Sequence, residues 1–187
     1  THNRFGIFTH RCAPIQINFL GYPGTSGSKF LDYIVLDDKL LCDQNEKFFS
    51  EKLIILPDTY QPNEDKKKIG DKVFTKNDQN LPNSNFIFSC FNSHQKIMPN
   101  IFETWMSILR QKKGSILWLL KDNEISEKNL KEYAKRNEIN PDRLIFANHL
   151  PLDQHLSRLK LADLVLDTFP YNAHTTCSDC LRMGVPV

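Results

Sequence analysis

Phe86-Ile-Phe-Ser-Cys90, Ser115-Ile-Leu-Trp-Leu-Leu120, Arg143-Leu-Ile-Phe-Ala147 and Asp163-Leu-Val-Leu-Asp167 are short apolar runs separated by helix-length stretches of mixed polarity. That alternation is the signature of βαβ units, so residues 86–167 predict a parallel sheet in an α/β fold. Helices are predicted between and after the runs, over Pro99–Gln111, Ser126–Asn137, Leu152–Lys160 and Thr175–Met183. In the first of these, Ile101, Trp105, Ile108 and Leu109 recur at helical spacing and predict a core-facing stripe. Pro186-Val187 reads as the start of another strand, where the chain stops, so a truncated fold is expected.

Outward from this block, Thr59 to Ser84 is rich in Asp, Lys, Asn, Gln and Pro and carries the charge run Asp65 to Lys68. Such composition predicts a linker or exposed insertion, taken as residues 61–84, between a part at 1–60 and a part at 85–187. The first part holds strand-like runs at Ile15–Leu20, Tyr33–Leu36 and Leu53–Leu56, with the glycine-rich Gly21-Tyr-Pro-Gly-Thr-Ser-Gly27 between the first two. Sixty residues of this kind are thin for an independent domain and read as the end of a larger one.

The 187 residues include 24 basic and 22 acidic side chains, a formal net charge of +2. So small a bias does not call for nucleic acid or an anionic membrane as a partner, and any anion site must be local. No run approaches the roughly 18 apolar residues of a membrane helix, and Thr1 to Thr9 lacks the layout of a signal peptide. Five cysteines, Cys12, Cys42, Cys90, Cys177 and Cys180, stand at irregular spacing, which fits a reducing, cytoplasmic setting better than a disulfide framework.

In an open parallel sheet, ligands bind beyond the carboxyl ends of the strands. Three stretches fall there: Phe91-Asn-Ser-His-Gln-Lys96, His149 to Arg158, and Thr168 to Asp179. Asn172-Ala-His-Thr-Thr-Cys-Ser-Asp179 places hydroxyl residues where a loop becomes a helix, so free backbone N–H groups face a bound anion, and a diphosphate suits that geometry. Thr175 or Thr176 could equally be a plain N-cap, and His174 a loop residue or a donor to a phosphate or sugar oxygen. Lys96 would supply a point charge, and His155 with Arg158, one turn apart, a donor pair. Singly, each of these also reads as a solvated surface group. Gly21 to Gly27 matches neither the dinucleotide fingerprint nor a P-loop and reads as a tight turn. Cys177-Ser-Asp-Cys180 is a lone pair of helix-face thiols, a weak zinc signal. No Asp-x-Asp occurs, so no metal site is expected.

Ala13-Pro-Ile-Gln16, Leu20-Gly-Tyr-Pro-Gly-Thr-Ser-Gly27, Asp32-Tyr33, Ser50-Glu-Lys-Leu53, Phe91-Asn92 with Lys96-Ile97, Leu161-Ala-Asp163 and Leu166-Asp-Thr-Phe-Pro-Tyr-Asn-Ala-His-Thr-Thr176 occur in that order. Together they resemble the catalytic region of the O-linked N-acetylglucosamine transferases in their bacterial-like form. The resemblance runs from near Thr1 to Val187. It implies a GT-B glycosyltransferase with two Rossmann-like lobes, residues 1–60 ending the first and 85–187 beginning the second. It also implies UDP-N-acetylglucosamine as donor, protein Ser/Thr acceptors, inverting transfer without a metal or other cofactor, and tetratricopeptide repeats in the whole protein. Matched to the family's motifs, Lys96 is the catalytic residue at the diphosphate. Leu20 and Gly21 lie beside the donor sugar, and His155 and Arg158 on the uridine side. His174, Thr175 and Thr176 cradle the diphosphate, and Asp179 binds ribose. Ser93 stands where Gln or Asn is expected, and Leu152 where some members have Lys. The family's upstream His-Pro-Thr motif is not in this sequence, so activity is expected to need a longer chain.

The nearest alternative is the protein O-fucosyltransferase group, which uses GDP-fucose and shares the Gly-Tyr-Pro turn and Asp-Thr-Phe-Pro-Tyr stretch. A non-catalytic sugar-nucleotide or protein-binding module is a second, and a dinucleotide-dependent oxidoreductase, without its glycine fingerprint, a third.

Overall fold

A computed structural model describes residues 4–41 and 45–187; Cys42 and the first three residues fall outside it. The chain divides into two compact units, Thr1–Pro62 and Asn63–Val187. The first contains a parallel sheet in the order β1 (Ile17–Asn18), β2 (Tyr33–Asp37), β3 (Lys52–Leu56). β2 and β3 pair along their full length, from Tyr33 opposite Lys52 to Asp37 opposite Leu56. β1 contributes two residues only, against the six the sequence predicts. Carboxylates organise the loops around this sheet. Asp32 accepts from Gln16 N and from Arg11 Nη2, and Asp37 from Lys39 N, Leu40 N and Tyr60 N.

The second unit is built on a four-stranded parallel sheet of β4 (Ile87–Cys90), β5 (Ile116–Leu120), β6 (Leu144–Ala147) and β7 (Leu164–Val165), in the order β6-β5-β4-β7. Helices α1 (Pro99–Gln111), α2 (Glu124–Arg136), α3 (Leu152–Leu159) and α4 (Thr175–Arg182) complete it. Because a strand's side chains alternate faces, the continuous apolar run of β5 feeds two cores. Ile116 and Trp118 pack with Leu156 and Leu159 of α3 and Cys180 of α4. Leu117 and Leu119 pack with Phe102, Trp105, Met106 and Leu109 of α1 and Ala134 of α2. The fold is therefore the predicted α/β sheet, wound on both faces.

The helix boundaries follow local chemistry. Pro99 opens α1 at a position where its missing N–H costs nothing. α2 starts two residues earlier than predicted because the Asn123 side chain accepts from Ser126 N at 2.8 Å and caps the helix there. The buried stripe of α1 is Phe102, Trp105, Met106 and Leu109, while Ile101 and Ile108 are only partly buried, so the core face is rotated from the one read in the sequence. Val165 N donates to Pro186 O at 2.8 Å, so the end of the chain runs beside β7. No helix among the described residues is long and apolar enough to cross a membrane.

The stretch read from sequence as a linker or exposed insertion makes specific contacts in the structure. From Asn63 onward it belongs to the second unit. Phe74 and Leu81 are buried, and Leu81 joins the α3/α4 core. Residues 64–72 form a strap along α3 and α4. Gly70 N donates to Asp153 O at 2.9 Å, Ser157 Oγ donates to the carbonyls of Gly70 and Lys72, and Arg182 donates to those of Glu64, Asp65 and Lys67. The composition misleads because most of the strap's polar side chains are exposed while its backbone carbonyls, with Lys67, Phe74 and Leu81, make the contacts.

At Gly70 the approach is close enough to exclude a side chain: a Cβ would lie 3.1 Å from Asp153 O and 3.2 Å from its carbonyl carbon. Gly70→Ala should destabilise the second unit by about 1 kcal/mol, read as a lower thermal midpoint. Faster trypsin cleavage at Lys66 to Lys72 should accompany it.

Candidate functional site

The topology marks where a ligand would sit. From β4 the chain steps outward to β5 and β6, then returns to place β7 on the other side of β4. Loops leaving β4 and β7 therefore diverge, and an open α/β sheet binds ligands at such a switch point. The β4 loop carries Ser93 and Lys96, and the β7 loop leads through Asp167 to Ala173 into α4.

Lys96 Nζ donates to Asn172 O at 3.0 Å and stands 4.0 Å from the centre of the Tyr171 ring, so the ammonium lies against the β7 loop. Burial lowers its pKa, opposed by the nearby Asp167. Asp167 organises that loop. Its Oδ1 accepts from Thr168 N and Ala173 N, both at 2.7 Å, and its Oδ2 from Asn172 Nδ2 at 2.8 Å. Asn92, buried at the end of β4, donates to Thr168 Oγ1 at 3.1 Å and ties the two loops together. Asn92 and Asp167 both lie within quoted sequence motifs, but only their three-dimensional partners show them as supports of the site.

His174 occupies the N-cap position of α4 without capping through its side chain. Burial lowers its pKa, and the Lys96 charge lowers it further. Thr175 and Thr176 form the first turn, with Thr175 exposed and Thr176 half-buried. Lys96, His174 and the α4 N-terminus are thus brought together. Ser93 is exposed and precedes the 3-10 turn His94–Lys96, with no side-chain capping bond.

On α3, the predicted donor pair has a different form. Arg158 is 1% exposed, in contrast to a solvated surface charge. Its Nε and Nη2 donate to Nδ1 of His155 at 3.1 and 3.0 Å, and its Nη1 donates to Asn148 O at 2.6 Å. Since arginine has no acceptor, Nδ1 must accept, which leaves the ring proton of His155 on Nε2. The guanidinium also lies over Phe91, 5.2 Å from the ring centre, and Phe91 meets the His155 ring edge to face at 5.0 Å. Burial, then the Arg158 charge, depress the His155 pKa to about 4, while burial lowers Arg158 to about 10. Arg158 thus fixes the tautomer of His155. A cavity of about 270 Å³ beside it, at the end of β6, is lined in part by Phe74, Gln79, Asn148 and Gln154.

Asp179, in the second turn of α4, is 8% exposed and pairs with Lys67 Nζ at 2.6 Å. Leu152 opens α3 and is 51% exposed, with no charge to offer. The thiols of Cys90 and Cys180 are buried and pushed up to about 12, as befits packing groups. Among the described residues no group of three or more His, Cys, Asp or Glu is placed to hold a metal ion.

Leu20 and Gly21 belong to the first unit. Leu20 is 44% exposed with a φ of 66°, a left-handed conformation unusual for leucine. The following turn is held by Glu51, 5% exposed, which accepts from Ser26 N at 2.8 Å, from Thr25 Oγ1 at 2.7 Å and from Ser26 Oγ. Burial alone would raise the Glu51 pKa; the Ser26 and Thr25 bonds outweigh it and bring it to about 2. The sequence reading of this stretch as a tight turn omitted its buried anchor.

A parallel sheet wound on both faces, with cationic and polar groups at its switch point, makes the second unit a Rossmann-like α/β lobe. The chain matches glycosyl transferase family 41 over residues 2–71 and 62–187, and it belongs to that family. It is 39% identical over 186 residues to an Arabidopsis thaliana protein named "Probable UDP-N-acetylglucosamine--peptide N-acetylglucosaminyltransferase SEC", covering 97% of this chain and 19% of that one. The SPINDLY protein of the same plant is 30% identical over 196 residues, covering 99% and 20%. A solved Thermobaculum terrenum O-GlcNAc transferase mutant superposes with a TM-score of 0.83 at 26% identity, over 98% of this chain and 35% of that one. The chain thus spans about a fifth of the length of these curated relatives.

His155 gives the unit a pH dependence. Its pKa falls from an ordinary 6.5 unfolded to about 4 folded, so the unfolded chain binds the proton first as pH drops. Its contribution is fully present above pH 6.5 and lost as pH falls towards 4, at most about 3 kcal/mol. His155→Gln, which keeps an acceptor for Arg158 without this titration, should show a smaller fall in thermal midpoint between pH 7 and 4.

Proposed function

We propose that this chain is the donor-binding part of a glycosyltransferase that moves N-acetylglucosamine from UDP-N-acetylglucosamine to Ser or Thr hydroxyls of proteins. The observation that carries this reading is the convergence of Lys96, His174 and the α4 N-terminus at the switch point between β4 and β7. The relatives' names, which specify UDP-N-acetylglucosamine and a peptide acceptor, support it. The likeness to a bacterial O-GlcNAc transferase likewise favours the N-acetylglucosamine reading over GDP-fucose.

In the proposed reaction the acceptor hydroxyl attacks the anomeric carbon from the face opposite the nucleotide, inverting its configuration. The bond from that carbon to the diphosphate oxygen breaks, and its electron pair stays with UDP. Lys96 and the N–H end of the helix dipole at the first turn of α4 stabilise the charge that gathers there, the role a metal ion would otherwise fill. Transition-state stabilisation of this kind is effective because the donors are held in place beforehand, here by the Asp167 and Asn92 bonds. His155, with its proton fixed on Nε2, would present a donor to the nucleoside. Leu20 and Gly21 are assigned to the donor sugar. Ser93, Thr175, Thr176 and Asp179 are assigned to the nucleotide. With free thiols at Cys12, Cys90, Cys177 and Cys180, we place the protein in the cytoplasm.

Calorimetric titration with UDP and GDP, with and without Mg²⁺, tests the reading. UDP should bind in preference to GDP and without need of Mg²⁺, and Lys96→Ala should weaken UDP binding about tenfold. In the whole enzyme the same substitution should lower the rate by about 10² to 10³. Preference for GDP, or unchanged UDP affinity in Lys96→Ala, would sink the assignment.

A further inference from the structure

Of the three consecutive lysines Lys66, Lys67 and Lys68, the outer two are exposed and only Lys67 is turned inward. Its side chain is 17% exposed and that of Asp179 11%, with 2.6 Å between Nζ and Oδ1. The strap that carries Lys67 is fixed on both sides of this contact: Arg182 holds the carbonyls of Glu64, Asp65 and Lys67, while Ser157 and Asp153 hold Gly70. The ammonium is therefore delivered to α4 by a segment with little freedom to place it elsewhere.

An ion pair is a costly way to fasten a strap to a helix, because both charges lose hydration and apolar contacts would serve at less cost. The pair has a further property that apolar contacts lack. Only Oδ1 of Asp179 is taken; Oδ2 accepts no hydrogen bond from the described residues. An unneutralised carboxylate on the helix whose N-terminus faces a diphosphate would also repel that anion. Lys67 removes the net charge while leaving one oxygen free to accept from a hydroxyl.

We propose that Lys67 is a further residue of the nucleotide site, a positioning residue that holds Oδ1 of Asp179 and so presents Oδ2 to the ribose hydroxyls of a nucleoside diphosphate. The inference rests on the donor-site reading given above. It makes the strap part of the recognition surface and assigns it discrimination in favour of an intact ribose.

The test compares UDP with its 2′,3′-dideoxy form by calorimetry, on the unsubstituted chain and on Lys67→Met, Lys67→Arg and Lys68→Met, each checked for folding by thermal melting. The unsubstituted chain should prefer UDP by about tenfold, the worth of one hydrogen bond to a charged acceptor. Lys67→Met should reduce that ratio towards one, Lys67→Arg should retain most of it, and Lys68→Met should leave it unchanged. A looser strap alone would weaken both nucleotides together and keep their ratio, so a ratio preserved in Lys67→Met overturns the inference while the donor site stands. If the unsubstituted chain binds neither UDP nor GDP, the donor-site reading itself falls, and this inference with it.

Discussion

Parallel pairing of β4 to β5 on one side and to β7 on the other is the constraint from which the second unit's organisation follows. A strand flanked on both sides has no free edge, and its residues are buried on both faces, so Ile87 to Cys90 can carry no charge. The polar groups of this region are forced beyond the strand ends. Because the chain leaves β4 in one direction and enters β7 from the other, the loops at those ends part rather than cross. Lys96 and the start of α4 are held across the opening.

That opening keeps its shape through a second layer of interactions. Asp167 gathers Thr168 N, Ala173 N and the Asn172 side chain, and Asn92 ties Thr168 to the end of β4. Lys96 then rests on a loop whose backbone is already fixed, with Asn172 O and the Tyr171 ring as its contacts. On α3 the arrangement is analogous, with one group made useful by another. Buried Arg158 is satisfied by Asn148 O and His155 Nδ1, and in being satisfied it sets the tautomer of His155. The first unit repeats the device with opposite charge, where Glu51 collects Thr25 and Ser26 and holds the turn that follows Leu20.

The positions of strands and helices in the second unit were legible because both periodicities survive in the sequence. Runs of four to six apolar residues mark buried parallel strands, and Pro99 marks the start of α1. Errors fell where local composition and tertiary contact disagree. Residues 63–84 look solvated by side-chain count, yet hydrogen bonds from Ser157 and Arg182 to their carbonyls fasten them to α3 and α4. The stripe on α1 was displaced because Ile101 and Ile108 sit at its margin, and the sheet's own surface selects Phe102 and Met106.

By itself the sequence determined the α/β class and the order of elements in the second unit, while its family resemblance implied a donor site at Lys96, His155, Arg158 and His174 to Asp179. These are properties of residue type and spacing, which act over a few residues. Only the tertiary structure decided that Arg158 is buried and serves His155, that Asp167 and Asn92 shape the β7 loop, and that Lys67 reaches Asp179 across 112 residues of chain. Hydrogen bonds and ion pairs depend on distances of about 3 Å, and distances between residues far apart in the chain are set by the packing of the sheet and its helices.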